Sequence, residues 1–261
     1  MGTSNYNALQ VSLQHKMAHG VQFDFNYTYS KSLDVASDAE RVGTINGLGS
    51  QVVNAWSPNQ FYGPSDFDAT HQFTANWVIE LPFGTGKAIG GGANAVENAF
   101  IGGWQLSGLF RLTSGFPFSV FNGANWPTDW DLSGNAYLIR PVKTGAYKDP
   151  NDPTVVNAFS TGSNSQSSFL EPLPGQAGTR NNLRGQGFFG IDLGISKRWT
   201  MPWSEKQSLQ FRMEVFNITN SVRFDAQSIN AYIDSSGANF GNYSRLSTNP
   251  RVAQFALRYE F

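Results

Sequence analysis

Val21-Gln22-Phe23-Asp24-Phe25-Asn26-Tyr27-Thr28-Tyr29-Ser30 alternates apolar or aromatic with polar side chains at every step for ten residues. Successive side chains of a strand point to opposite faces, so a period of two over this length means a strand with one apolar and one polar face. Just upstream, Leu9, Val11 and Leu13 alternate with Gln10, Ser12 and Gln14, and only residues 16–20, centred on His19-Gly20, separate the two runs. Two alternating runs joined so briefly predict a hairpin.

The same period recurs five more times. Phe73, Ala75, Trp77, Ile79 and Leu81 stand against Gln72, Thr74, Asn76, Val78 and Glu80; within residues 104–113, Leu106, Phe110 and Leu112 oppose Gln105, Ser107 and Arg111. Ile191, Leu193 and Ile195 oppose Asp192 and Ser196, and Leu209, Phe211, Met213 and Val215 alternate with Gln210, Arg212 and Glu214. The final run puts Ala253, Phe255, Leu257, Tyr259 and Phe261 on one face and Gln254, Arg258 and Glu260 on the other. Seven strands are predicted.

Their connections alternate in length. Short joins follow the first, third and fifth strands at residues 16–20, the Gly-rich 82–103 and 200–207, whereas residues 31–70, 114–188 and 217–250 make long ones. Tight turns on one side and long loops on the other are the habit of outer-membrane barrels, whose turns are periplasmic and whose loops are extracellular. A soluble sandwich has no reason to keep that asymmetry. Aromatic residues gather at the expected strand ends, Tyr27 and Tyr29 outside and Phe83, Trp104, Trp199 and Tyr259 inside, as in the girdles at headgroup level. The expected fold is therefore all-β, an antiparallel transmembrane β-barrel segment of about seven strands with long extracellular loops. It is incomplete as a barrel alone, because seven open strands leave two edges whose backbone groups cost several kcal/mol each in lipid.

Composition agrees with this and excludes other classes. Charged residues make up 14% of the 261, aromatics another 14%, and 27 are Gly, a balance that suits strands and turns. Eighteen Lys and Arg against nineteen Asp and Glu leave a net charge of −1, without the cationic excess of a nucleic-acid groove, so no nucleic-acid partner is expected. The absence of Cys removes disulfides, thiolate zinc sites and Cys nucleophiles together. No run of about 18 apolar residues exists, and spanning strands need only about 9 to 11 residues each. Residues 1–10 lack a basic segment followed by an apolar stretch, so an exported chain of this kind is expected to begin upstream.

Several stretches resemble the last third of TonB-dependent outer-membrane receptors of the Oar-like subgroup. Arg212-Met213-Glu214-Val215-Phe216-Asn217-Ile218-Thr219-Asn220 is similar to the family's penultimate strand, Arg-x-Glu-x-Phe-Asn-Leu/Ile-x-Asn. Asp68-Ala69-Thr70-His71-Gln72-Phe73, Leu81-Pro82-Phe83-Gly84, Gly103-Trp104-Gln105-Leu106-Ser107-Gly108 and Ser114-Gly115-Phe116-Pro117-Phe118 keep the family's order, as do Asn182-Leu183-Arg184-Gly185-Gln186-Gly187-Phe188 and Leu257-Arg258-Tyr259-Glu260-Phe261. Thr70 stands where Arg is usual and Gln186 where Pro is usual. The resemblance implies that residues 1–261 are the C-terminal segment of a receptor barrel, with the plug domain, the energy-coupling box and the carboxypeptidase-regulatory-like module absent. It implies uptake of a scarce solute such as a siderophore or an oligosaccharide. Its expected partners are outer-membrane lipid, the remainder of the receptor, the TonB energy-coupling complex and the outer-membrane assembly machinery. The alternative is a surface or adhesion barrel that transports nothing.

No enzymatic site is expected. Gly185-Gln186-Gly187-Phe188-Phe189-Gly190 matches the dinucleotide fingerprint in spacing, but an alternating strand comes next, where that fingerprint needs a helix N-terminus. His15 and His19 flank a turn while His71 belongs at the opposite strand end, so no metal site or cofactor is expected from them; no Ser, His and carboxylate set shares a locale. The candidate ligand-contact residues are Trp126, Asp129, Trp130, Asp131 and Tyr137 in the long loop after the fourth strand. Aromatic faces beside carboxylates suit a sugar or a siderophore, and equally suit a loop packed on itself. At the other end, Phe255, Leu257, Tyr259 and Phe261 form a candidate C-terminal assembly signal.

Overall fold

The computed structural model describes residues 3–37, 56–122, 135–173, 176–233 and 237–261. Seven long strands run β1 (Ser4–Ala18), β2 (Val21–Asp34), β3 (His71–Glu80), β4 (Trp104–Thr113), β5 (Phe188–Met201), β6 (Ser204–Phe216) and β7 (Val252–Glu260). They pair antiparallel in chain order, each with the next, and a two-residue strand, Gly63–Pro64, adds to the outer end of β2. All seven expected strands are present, and β4 has the extent anticipated from the alternation. The sheet is not closed: among the described residues β1 and β7 each pair on one side alone.

Register carries the two faces across the sheet without a break. Phe23 lies opposite Trp77, then Gly108, Leu193, Val215 and Ala253, and the next row outward is Phe25, Ala75, Phe110 and Ile191. The opposite face carries Asp24, Asn76, Leu109 and Asp192 in one row and Gln22, Val78, Ser107, Gly194, Glu214 and Gln254 in another. The apolar rows belong against hydrocarbon and the polar rows in a lumen. Gly108 sits under the Trp77 indole, where an added Cβ would fall 2.2 Å from the ring.

The turns are tighter than expected from the sequence. β1 continues to Ala18 through a register shift after His15, leaving His19-Gly20 as a two-residue connection with φ of 52° and 78°. Positive φ at both positions is the hairpin geometry that matches strand twist. Likewise 202–203 alone joins β5 to β6 in place of the expected 200–207. Residues 82–103 are no simple Gly-rich turn, since they contain the helix α1 (Ala95–Ile101).

Leu193 occupies the middle of the apolar band, whereas Leu106 and Phe211 lie nearer the turn side. Leu193→Arg is therefore expected to cost about 2 to 4 kcal/mol of barrel stability, and Ser107→Arg, at nearly the same depth on the polar face, little. Urea titration of the folded barrel in lipid vesicles measures both; equal penalties would remove the assignment of faces.

Candidate functional site

On the long-loop side, the connections after β4 and β6 fold into a cap with the chain's main hydrophobic core. Phe118, Val120, Ala158, Phe159, Phe169, Ile229, Phe240 and Tyr243 are all buried there. Phe159 and Phe240, both fully buried, stack at 5.3 Å between ring centroids and 4° between planes, with Phe169 against both. Short paired segments frame the core: Pro117–Phe118 with Leu183–Arg184, Tyr137–Leu138 with Phe169–Leu170, and Thr144–Lys148 with Val156–Phe159.

Asn157 supplies the polar centre. Its Nδ2 donates to the Phe240 carbonyl at 2.6 Å and to Asn242 Oδ1 at 2.8 Å, while its Oδ1 accepts from the Phe159 amide at 2.8 Å. The residues after β4 are thereby locked to those after β6. Tyr243 adds a second link, its hydroxyl donating to the Gly145 carbonyl at 2.6 Å and accepting from the Gln186 amide at 3.2 Å. Burial pushes this hydroxyl up to about 12, so it remains a neutral donor around pH 7. Asp152, at the cap surface, is shifted the other way, its carboxyl lowered by hydrogen bonds from the Thr154 hydroxyl and amide.

A buried charge node ties the cap to the outer end of the wall. The Arg180 side chain, 4% exposed, donates to Asp34 Oδ1 at 2.8 Å and Asp66 Oδ1 at 3.2 Å. Arg184 pairs with Asp68 and donates to the carbonyls of Asp68 and Gly115 at 2.7 and 3.0 Å, while Asp68 Oδ1 accepts from the Ser32 amide at 2.6 Å. Three of the stretches that carry the family resemblance, around Asp68, Ser114 and Asn182, thus meet at one point of the rim. Gly115 is required there, because a Cβ would lie 1.9 Å from the Gly185 carbonyl oxygen. The sequence contained this node's members without signalling their partnership, since Arg180 and Asp34 are 146 residues apart.

Of the candidate ligand residues, Trp126, Asp129, Trp130 and Asp131 lie outside the described residues. Tyr137 is half-buried, in the strand paired with Phe169–Leu170. His71 Nδ1 meets the Tyr27 hydroxyl at 2.9 Å at the loop end of the wall, while His15 Nδ1 meets the Val21 carbonyl at 3.1 Å at the turn end. Among the described residues no group of three or more His, Cys, Asp or Glu could hold a metal ion. Gly185-Gln186-Gly187 leads directly into β5.

The polar wall below the cap is charged along β5 to β7. Arg212 pairs with Glu214, which also accepts from Gln254 at 2.6 Å; Arg198 and Arg258 meet Glu260 at 2.7 and 3.3 Å. Arg111 lies over the Phe188 ring at 4.2 Å. Such a face serves water or a polar partner and is excluded from hydrocarbon. On the opposite face Phe255, Leu257 and Tyr259 lie across from Met213, Phe211 and Leu209, with Phe261 stacked on Tyr259 at 6.4 Å.

A family profile described as an outer membrane beta barrel domain matches residues 1–254. Comparisons with curated proteins and with solved structures return no match. With an apolar outer wall, a charged inner wall and loops gathered on one side, the chain belongs to the outer membrane beta barrel family, and its place is the outer membrane, in contact with lipid.

Proposed function

We propose that the chain supplies wall and extracellular cap to a TonB-dependent receptor of a Gram-negative bacterium, which imports a scarce solute such as a siderophore or oligosaccharide by binding and gating and performs no catalysis. The observation that carries this is the open sheet with a charged inner wall. β1 and β7 both run from the loop side to the turn side. Joining them directly would make a parallel pair, so antiparallel closure takes an odd number of further strands. About fifteen would give the roughly 22 strands whose lumen holds a plug. The charged inner wall suits such a plug. The family resemblance of the sequence motifs points the same way.

The test is the DNA upstream of Met1. An in-frame export signal, plug, energy-coupling box and odd number of strands are expected, with solute uptake abolished when the box is deleted. A barrel whose upstream sequence lacks plug and box would instead be a surface or adhesion barrel, for which the rigid cap would be the working part.

The C-terminus belongs to the same proposal. Phe255, Leu257, Tyr259 and Phe261 are exposed along one face, Phe261 almost wholly, and act as the signal read by the assembly machinery. Deleting Phe261, or changing it to Ala, is expected to slow insertion while leaving the folded barrel's stability nearly unchanged. Heat-modifiable gel mobility and outer-membrane fractionation track this, and wild-type insertion of both variants would make Phe261 an ordinary lipid-facing side chain.

A further inference from the structure

The helix α1 is an anomaly in a barrel turn. At seven residues it is too short to be stable alone, yet it is held at both ends. Asn94 Oδ1 accepts from the Val96 and Glu97 amides at 3.0 and 2.9 Å while Glu97 Oε2 accepts from the Asn94 amide at 3.0 Å, a complete capping box. The C-terminal end is secured by the barrel. Two of the end carbonyls, of the kind left without partners inside any helix, take side chains from the wall: Trp199 Nε1 donates to Ala99 O at 2.6 Å and Trp104 Nε1 to Phe100 O at 2.8 Å, while Asn98 O, which already accepts from the Gly102 amide at 2.9 Å, also takes Lys197 Nζ at 3.3 Å.

Those three side chains belong to the lipid-facing rows. Trp104 lies opposite Lys197, and Lys197 opposite Phe211 and then Leu257. A lysine in a lipid-facing row is costly unless its ammonium is satisfied. Here it is buried, lies 5.5 and 5.2 Å from the Trp104 and Trp199 rings, and reaches the negative end of the helix dipole. The helix is therefore strapped to the outside of the wall at the level of the inner aromatic girdle, not under the lumen. Its outward side carries an apolar pair: Val96 and Phe100, one turn apart, are 69% and 74% exposed.

We propose that α1 is an interfacial anchor, seated in the periplasmic leaflet of the outer membrane with Val96 and Phe100 among the acyl chains and the capping box, Glu97 included, toward water. The occupant is lipid, because the patch continues the lipid-facing wall and is fastened by that wall's own residues. Tryptophans and a lysine at a membrane boundary favour this depth. The anchor fixes how deep the β3–β4 turn sits and depends only on the outer-wall assignment, not on transport.

Residues 1–261 contain no Cys, and any Cys elsewhere in the protein is changed to Ser before single cysteines are placed here. In the complete outer-membrane protein, folded into phosphatidylethanolamine and phosphatidylglycerol vesicles, an environment-sensitive fluorophore is attached at Phe100→Cys and separately at Val96→Cys. Leu106→Cys on the wall and Asn164→Cys on the cap serve as lipid and water references. Both helix positions are expected to lose emission to nitroxide-labelled lipid as the Leu106 label does, and to be spared by aqueous iodide. Quenching by iodide to the level of the Asn164 label would overturn the proposal. Protection from both quenchers would overturn it too, because protein would then cover the helix. If the Leu106 label itself resists lipid quenching, the wall assignment fails along with it.

Discussion

Arg180→Met is expected to destabilise the extracellular cap by about 3 to 5 kcal/mol, the usual cost of removing one partner from a buried ion pair. The guanidinium satisfies Asp34 and Asp66 at once, and also donates to the Asp34 carbonyl at 3.0 Å. Methionine fills much of the volume but leaves both carboxylates facing an apolar side chain. The penalty lies in those uncompensated charges more than in the lost attraction. Asp34→Asn combined with Arg180→Met should recover part of the loss by removing one of them. Arg180→Lys should fall in between, since a point charge cannot reproduce the two-sided fork. Limited proteolysis of the protein folded in vesicles measures this as a rate of cap cleavage. The barrel's own resistance to heat and detergent should be unaltered, because the node lies beyond the membrane-spanning rows. A cap as protease-resistant in Arg180→Met as in the wild type would show that the node does not hold it.

The contrast between wall and cap also explains what was legible in the sequence. A lipid bilayer imposes one rule on every spanning residue, apolar outside and polar inside, and this rule writes period two into the chain. Trp104–Thr113 obeys it closely enough to be delimited to the residue. Where the rule lapses, the boundaries blur. β1 extends to Ser4, but Asn5 and Asn7 occupy the parity of the lipid rows, beyond the apolar band, where both faces meet water. β5 was legible only from Ile191 to Ser196, because Gly190 and Gly194 contribute no side chain to the lumen face and Lys197 breaks the lipid row. That lysine makes sense only once the Asn98 carbonyl is seen beside it. The helix itself was hidden by its brevity and by the glycines around it.

The cap was illegible for a different reason. Its strands are two to five residues long, too short for any period, and its core is assembled from Phe118, Phe159, Phe169 and Phe240, drawn from two loops. Composition indicated that the aromatics of the long loop would pack or bind, and four of the five residues singled out for binding fall outside the described ones, leaving Tyr137 in a paired strand. The rim node could have been suspected from one sequence signal: Asp68, Gly115 and Arg184 all sit in stretches that resemble the receptor pattern. Nothing in their spacing says that they touch.

Phe240→Ala should have an effect of similar size, about 3 to 5 kcal/mol, for a different physical cause. Phe240 is fully buried, stacks one face on Phe159 and packs against Phe169 at a tilt of 57°. Truncation leaves a cavity between two rings that the surrounding backbone cannot close, because Ala158 donates to the Gly241 carbonyl at 2.7 Å and Asn157 to the Phe240 carbonyl. These bonds are also the reporters. Hydrogen exchange at the Ala158 amide, and at the Tyr243 amide that donates to Val156 O at 3.0 Å, should accelerate roughly a hundredfold or more as local opening becomes easier. Exchange at mid-wall amides of β4 and β5 should not change. Leu170→Ala, on the exposed side of the same cap, provides the contrast and should stay within about 0.5 kcal/mol. Because the two rings share one contact, Phe159→Ala added to Phe240→Ala should cost less than the sum of the singles. Uniform acceleration across cap and wall would mean that the two unfold together and that the cap has no core of its own. Acceleration confined to the cap, with any solute binding lost while the barrel stays folded, would place recognition in the loops.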